Sequence, residues 1–289
     1  MTSEVITVGL DASEEALAAA LWGAREAQLR NATLHLMHAW ILLASEPEGA
    51  PLRAEDQNYW ARWIVDRASE RVLDRYPDLS VSEELVPEEP AAALLRAAWE
   101  SDLLVLGSRN MAPVASYFLG DIGLRVVTRV QAPLVLVRPD DGGRPAHDQG
   151  DVVLGLSLHG PCDGLVSFAC GTATRWRVAL RVVHGRSLPA SAYTRGGVDP
   201  AMSAAVAEDA RTELTAFLRP WRERFPDLPM TTAVTADGPA RAVLRTAADA
   251  GLLVLGRRRH RPALSPPVGH VLQAAMHHAA CPVAVVPHD

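Results

Sequence analysis

The sequence DLLVLG at residues 102–107 recurs 149 positions later (251 − 102) as GLLVLG at residues 251–256. Two other pairs of segments keep the same offset, namely 77–79 with 226–228 and 132–135 with 281–284. Similarity at a fixed spacing is the signature of a repeated structural unit. The sequence therefore predicts two copies of one domain.

Composition marks the boundary between the copies. Residues 139–150 are polar and rich in turn-forming residues, which is typical of a linker. The chain has 289 residues, and domains average roughly 150 residues. We therefore predict a first domain at residues 1–138 and a second at residues 151–289.

Within each copy, short apolar runs alternate with amphipathic segments. In the first copy the runs predict five strands, at residues 5–10, 33–39, 81–86, 103–107 and 134–137. In the second copy the corresponding runs are residues 152–156, 177–183, 231–235, 252–256 and 283–286. The long helical pattern of the second copy contains Pro220, where we expect a kink or a break. Continuously apolar strands that alternate with helices predict an α/β fold with a doubly wound parallel sheet in each domain.

Charge and composition exclude several classes of protein. The chain is 48% hydrophobic with a net charge of −6, so it has no overall positive field to hold nucleic acid or an anionic membrane. Its three cysteines form no CxxC pair, which is typical of a reducing compartment, and Cys162 and Cys170 are expected to be buried. We see no secretion signal and no apolar run of about 18 residues. We expect a cytoplasmic protein that binds neither nucleic acid nor membranes.

Two short segments carry a family resemblance. VGLDAS at residues 8–13 ends the first predicted strand, and LGSR at residues 106–109 ends the fourth. Together with the repeat, they resemble the universal stress protein family in a tandem arrangement that covers nearly the whole chain. The resemblance implies two Rossmann-like domains, each with five strands in the order 3-2-1-4-5. It also implies ATP binding, which in many members uses an Asp after the first strand and the motif G-x2-G-x9-G-[S/T] after the fourth.

The resemblance implies a nucleotide site in the first domain, at the carboxyl ends of the strands. In this strand order a crevice opens between strands 1 and 4, where glycine-rich backbone and a helix N-terminus can meet phosphates. Carried over to this sequence, the cofactor-binding positions are Asp11, Ala39, Gly107, Arg109, Asn110, Gly120 and Asp121. Asp11 is expected to face the base or the sugar.

The first copy departs from the family motif at two positions. Asn110 replaces the second glycine, and Asp121 replaces the final Ser or Thr. Asn tolerates the left-handed conformation, so the turn can survive, whereas Asp121 would place a carboxylate beside the phosphates. An alternative is that Asp121 caps the following helix. We therefore expect weak ATP binding at most.

The second copy departs further and is expected to be degenerate. Ser157 stands at the position of Asp11, and Arg259 and His270 replace motif residues. Residues 257–261 are RRRHR, which predicts either an anion site or a solvated surface loop, and we favour the loop.

No paired nucleophile and base is visible in the sequence. We therefore expect a non-catalytic, stress-response binding module, with slow ATP hydrolysis at the first site or complete loss of nucleotide binding as alternatives. The last strand of each copy is apolar and would promote aggregation if left bare. We expect these strands, within residues 133–137 and 282–286, to pair the two domains as an intramolecular pseudo-dimer. Protein partners are unknown.

Overall fold

The computed structural model describes the greater part of the chain. The described residues are 3–40, 54–108, 121–139, 150–158, 160–189, 192–194, 197–235, 238–260, 266 and 268–289. The chain divides into two compact units, Met1–Arg144 and Pro145–Asp289.

The first unit is an α/β domain with one parallel sheet. Its strands are β1 (Val5–Leu10), β2 (Thr33–Ala39), β3 (Val81–Val86), β4 (Leu103–Gly107) and β5 (Leu134–Val137). Its helices are α1 (Glu14–Arg30), α2 (Ala54–Arg75), α3 (Pro90–Trp99) and α4 (Asp121–Arg129). The strand order is β3-β2-β1-β4-β5 with every pair parallel, which confirms the predicted order and all five predicted strands.

The second unit repeats this architecture. Its parallel strands are β6 (Val152–Gly155), β7 (Leu180–Gly185), β10 (Met230–Thr235), β11 (Leu252–Arg258) and β12 (Val283–His288). Its helices are α5 (Asp163–Trp176), α6 (Pro200–Arg224), α7 (Pro239–Thr246) and α8 (His270–His278). The order β10-β7-β6-β11-β12 is again 3-2-1-4-5. A short antiparallel pair, β8 (Tyr193–Thr194) with β9 (Gly197–Val198), precedes α6 and was not predicted.

Burial explains why the central strands and β5 are continuously apolar. In β4, the first four residues are all buried, and the whole of β5 is buried as well. These strands have helices over both faces, so alternation of polar and apolar residues is lost in them, whereas the edge strands β3 and β10 remain partly exposed and carry polar residues. Cys162, Cys170 and Cys281 are also free and buried, which confirms the expected burial of the first two.

Within the described ranges, none of the helices has the length and apolar character needed to cross a membrane.

The structure corrects three predicted elements of the second unit. β7 begins at Leu180 instead of residue 177, because Arg177 adopts the left-handed conformation (φ 58°) as the C-cap of α5. The helix α6 runs unbroken through Pro220, so the predicted break is absent. Buried Leu214, Leu218 and Trp221 anchor the helix on both sides of the proline and offset its lost hydrogen bond.

The third correction concerns the arginine-rich segment. β11 continues past Gly256 to Arg258, because β12 extends beside it and pairs with both Arg257 and Arg258. Arg257 is only 3% exposed, so the prediction of a solvated loop is wrong at this residue. Arg258, Arg259 and His260 are exposed.

Candidate functional site

A cavity of about 570 Å³ opens at the carboxyl ends of β1, β2 and β4 in the first unit. This is the place where the sheet order reverses between β1 and β4, which is where ligands bind in open α/β sheets. The described lining residues are Gly9, Leu10, Asp11, Ser13, Ala16, Met37, His38, Ala39, Pro90, Leu94, Leu106, Gly107, Ser108, Asp121, Ile122 and Gly123. Its volume lies within the usual range for small-molecule sites, about 300–1,000 Å³.

The structure brings together four of the seven predicted site residues. Asp11, Ala39, Gly107 and Asp121 all line this cavity, although they come from four separate parts of the chain. Arg109, Asn110 and Gly120 lie outside the described residues.

The carboxylate of Asp11 is held in place by Ser13. The backbone N–H of Ser13 donates to Asp11 Oδ1 at 2.9 Å, and the Ser13 hydroxyl donates to the same oxygen. The Ser13 Oγ in turn accepts a hydrogen bond of 3.2 Å from the Ala16 N–H and so caps α1. The loop after β1 is therefore tied to the helix that follows it, and the Asp11 side chain is pre-oriented at the cavity.

Gly107 is required by packing as well as by the predicted phosphate loop. A Cβ built on Gly107 would lie 2.5 Å from the carbonyl carbon of Glu15 and 2.7 Å from the nitrogen of Ala16. The end of β4 therefore meets the first turn of α1 backbone to backbone. Only glycine allows this approach, independently of any ligand.

His38 lines the cavity but was not predicted as a site residue. Its Nδ1 donates to the carbonyl oxygen of Leu10 at 2.8 Å. In the neutral ring this tautomer leaves Nε2 as a hydrogen-bond acceptor. The same bond recurs in the second unit, where Nδ1 of His184 donates to the Leu156 carbonyl oxygen at 2.9 Å. The sequence feature that could have identified His38 was this repetition of a histidine at equivalent positions of the two copies.

The helices α3 and α4 supply the apolar walls of the cavity and are joined by an ion pair. Arg125 of α4 donates to Glu89 Oε1 at 2.9 Å, while Glu89 Oε2 accepts from the Ala92 N–H at 3.0 Å and caps α3. Desolvation raises the pKa of Glu89, but the backbone hydrogen bonds from Ala92 and Ala91 and the charge of Arg125 outweigh it, so the pKa is lowered from 4.5. Pro90 and Leu94, which follow Glu89, face the cavity.

The second unit differs most at the equivalent charged positions. Ser157 is exposed where the first unit has Asp11, and His270 begins α8 where Asp121 begins α4. The buried Arg257 stands at the position of the small Ser108. The second unit therefore lacks both carboxylates at these positions and carries a histidine and a buried arginine where the first unit has an aspartate and a serine.

A larger groove of about 660 Å³ runs along α6, but its described lining comes entirely from that one helix. Its charged residues are Glu208, Arg211, Arg219, Arg222 and Glu223. A single solvated helix face encloses no ligand, so the cavity at β1 and β4 is the better candidate.

Known proteins resemble both units. The profile of the universal stress protein family matches residues 2–138 and 151–287. A universal stress protein of Mycobacterium tuberculosis is 29% identical over 290 residues, which cover 97% of this chain and 96% of that protein. One from Mycolicibacterium smegmatis is 29% identical over 293 residues, with 97% and 96% covered.

A solved structure resembles the whole chain in fold. The crystal structure of a universal stress protein from Archaeoglobus fulgidus covers 100% of both chains with a TM-score of 0.70 at 14% sequence identity. With the family profile matched twice along the sequence, the chain belongs to the universal stress protein family, as a tandem of two domains.

Proposed function

We propose that the protein is a non-catalytic, stress-response binding module whose first unit binds an adenine nucleotide weakly. The observation that carries the proposal is the cavity at the carboxyl ends of β1, β2 and β4, which gathers Asp11, Ala39, Gly107 and Asp121. The family resemblance supplies the ligand class, since many members bind ATP at the corresponding positions.

The chemistry of the cavity suits a nucleoside. Met37, Leu94 and Leu106 offer apolar surface for a flat base. Asp11, pre-oriented by Ser13, offers carboxylate oxygens that accept hydrogen bonds from ribose hydroxyls or an exocyclic amine. The side-chain ring of His38 adds a further polar group at the same opening.

Hydrolysis of ATP at this site is the alternative that we disfavour. Turnover would require a general base that reaches an attacking water. Asp11 Oδ1 already accepts two hydrogen bonds from Ser13, so this oxygen is engaged with the protein and not free to accept a proton from water. We therefore propose a binding role. Free cysteines are typical of a reducing compartment, so we also propose a cytoplasmic location.

Two measurements test the proposal. Mass spectrometry of small molecules released from the denatured protein should identify an adenine compound. In calorimetric titration with adenosine and AMP, Asp11→Ala should weaken binding at least tenfold, whereas Ser157→Ala, the matched change in the second unit, should leave it unchanged. Equal losses from both variants, or tighter binding of guanosine than of adenosine, would overturn the proposal. No binding of any nucleoside would support the alternative that nucleotide binding has been lost.

We also propose that the two units associate as an intramolecular pseudo-dimer through their last strands. Support comes from the apolar sequence of β5 and β12, which would be prone to aggregation as bare edges. Small-angle scattering tests this, since a compact chain of 289 residues has a radius of gyration of about 19 Å. A clearly larger value would mean that the units are separate.

A further inference from the structure

The charged side chains among the described lining residues of the first unit's cavity are all acidic. Two carboxylates, Asp11 and Asp121, line it, and none of its described lining residues is Arg or Lys. His38 is the single described lining residue with a side chain that can carry a positive charge, and its Nδ1 is engaged with the Leu10 carbonyl oxygen.

Asp121 lies at the edge of the cavity where the resemblance places the phosphates. It is the first described residue of α4, and the first turn of the helix as described lines the cavity with Asp121, Ile122 and Gly123. A helix N-terminus normally attracts anions through free N–H groups and the positive end of its dipole. A carboxylate in the first turn neutralises this attraction and repels a phosphate group.

We infer that this cavity selects adenosine over its phosphorylated forms. The inference rests on the proposed function and names the ligand class for the same site. The apolar walls and Asp11 hold the nucleoside part, and each added phosphate brings negative charge towards Asp121. Affinity therefore falls in the order adenosine, AMP, ADP, ATP, with ATP bound at least tenfold more weakly than adenosine.

Calorimetric titration of the full chain with these four compounds, without divalent cations, tests the order. Asp121→Ser removes the charge and keeps a hydroxyl at the helix start, so it should strengthen ATP binding at least tenfold relative to adenosine binding. Asp121→Glu retains the charge and should retain the order. Asp163→Ser is the matched control, because Asp163 begins α5 in the second unit and its loss changes net charge equally.

Salt provides an independent readout. Repulsion between partly exposed charges is screened as ionic strength rises, so the difference between adenosine and ATP should narrow between 0.05 and 0.5 M NaCl, roughly a threefold change in Debye length. In Asp121→Ser this salt dependence should be reduced.

The outcomes separate the inference from the proposed function. If all four compounds bind and ATP binds as tightly as adenosine or more tightly, the inference is overturned and the proposed function stands. An unchanged order in Asp121→Ser also overturns the inference. If none of the four compounds binds, both fail together.

Discussion

The α-carbon of Gly107 lies against the backbone of Ala16, so closely that an added Cβ would stand 2.7 Å from the Ala16 nitrogen. This approach joins the end of β4 to the first turn of α1. The N–H of Ala16 also donates to Ser13, which holds Asp11. One close packing contact therefore positions both the strand and the acidic side chain at the cavity.

Replacing Gly107 with Ala should destabilise the protein and weaken ligand binding. The new Cβ would clash with backbone that cannot move without displacing α1, and overpacking of this kind costs about 1–3 kcal/mol. Gly171→Ala is the matched control, since a Cβ there meets nothing within 4 Å and the residue lies inside α5. That change should stabilise the protein by about 0.5–1 kcal/mol. Urea unfolding measures both, and equal effects would refute the packing argument.

Arg177→Gly should raise the free energy of unfolding. Arg177 is the exposed C-cap of α5 with φ 58°, a conformation that costs a residue with a Cβ about 1–2 kcal/mol. After the greater flexibility of glycine in the unfolded chain is subtracted, we expect a gain of about 0.5–1 kcal/mol. Asn31 has the equivalent role after α1 with φ 52°, and Asn tolerates this conformation. Asn31→Gly should therefore gain less in the same unfolding experiment.

Glu89 should make the free energy of unfolding of the first unit depend on pH in the acidic range. The pKa of Glu89 is lowered in the folded state from its ordinary value of 4.5. The contribution of Glu89 to the free energy of unfolding is therefore present above pH 4.5 and is lost as the pH falls through the lower pKa of the folded state. Glu89→Gln removes this contribution. The difference in unfolding free energy between the native protein and this variant should shrink from pH 6 to pH 3.

A control for the lost charge in the Glu89 experiment is Glu70→Gln, which changes an exposed residue of α2. If the difference between native protein and Glu89→Gln is the same at both pH values, the ionised carboxylate does not stabilise the link between α3 and α4.

The thiols of Cys162 and Cys170 should react very slowly in the folded protein. Burial, chiefly, raises the pKa of each thiol from 9.0 to about 11. At pH 8 the thiolate fraction falls by about a hundredfold for a shift of two units, and the thiolate is the reactive form. Alkylation followed by mass spectrometry should show both sites protected by at least that factor relative to the protein in urea. Rapid modification of either cysteine in the folded chain would contradict the burial.

Much of the fold and part of the site follow from local sequence. All five strands of the first unit are correct as predicted, and for four of them the reason is that apolar runs of four to seven residues between turn-forming segments leave few alternatives. The repeat then specifies the second unit by analogy. Asp11 and Gly107 could be located because each directly follows or ends a strand that the pattern identifies.

Contacts between distant segments decided the rest. β11 extends to Arg258 because β12 supplies partners for its backbone, although the residues themselves are charged. α6 continues through Pro220 because buried side chains on both sides hold it. Local patterns do not contain this information, since the compensating hydrogen bonds and burial come from residues far along the chain.

The same division applies to the cavity. The sequence by itself determined which residue types stand at the ends of β1 and β4, including the unusual Asp121 at the start of α4. The family resemblance placed Asp11 and Asp121, 110 positions apart (121 − 11), in one site, and only the tertiary structure showed that both line one cavity together with His38. Parallel strands place their carboxyl ends at one edge of the sheet, and the crossover helices bring distant segments to that edge. The two carboxylates therefore come together only when the chain folds.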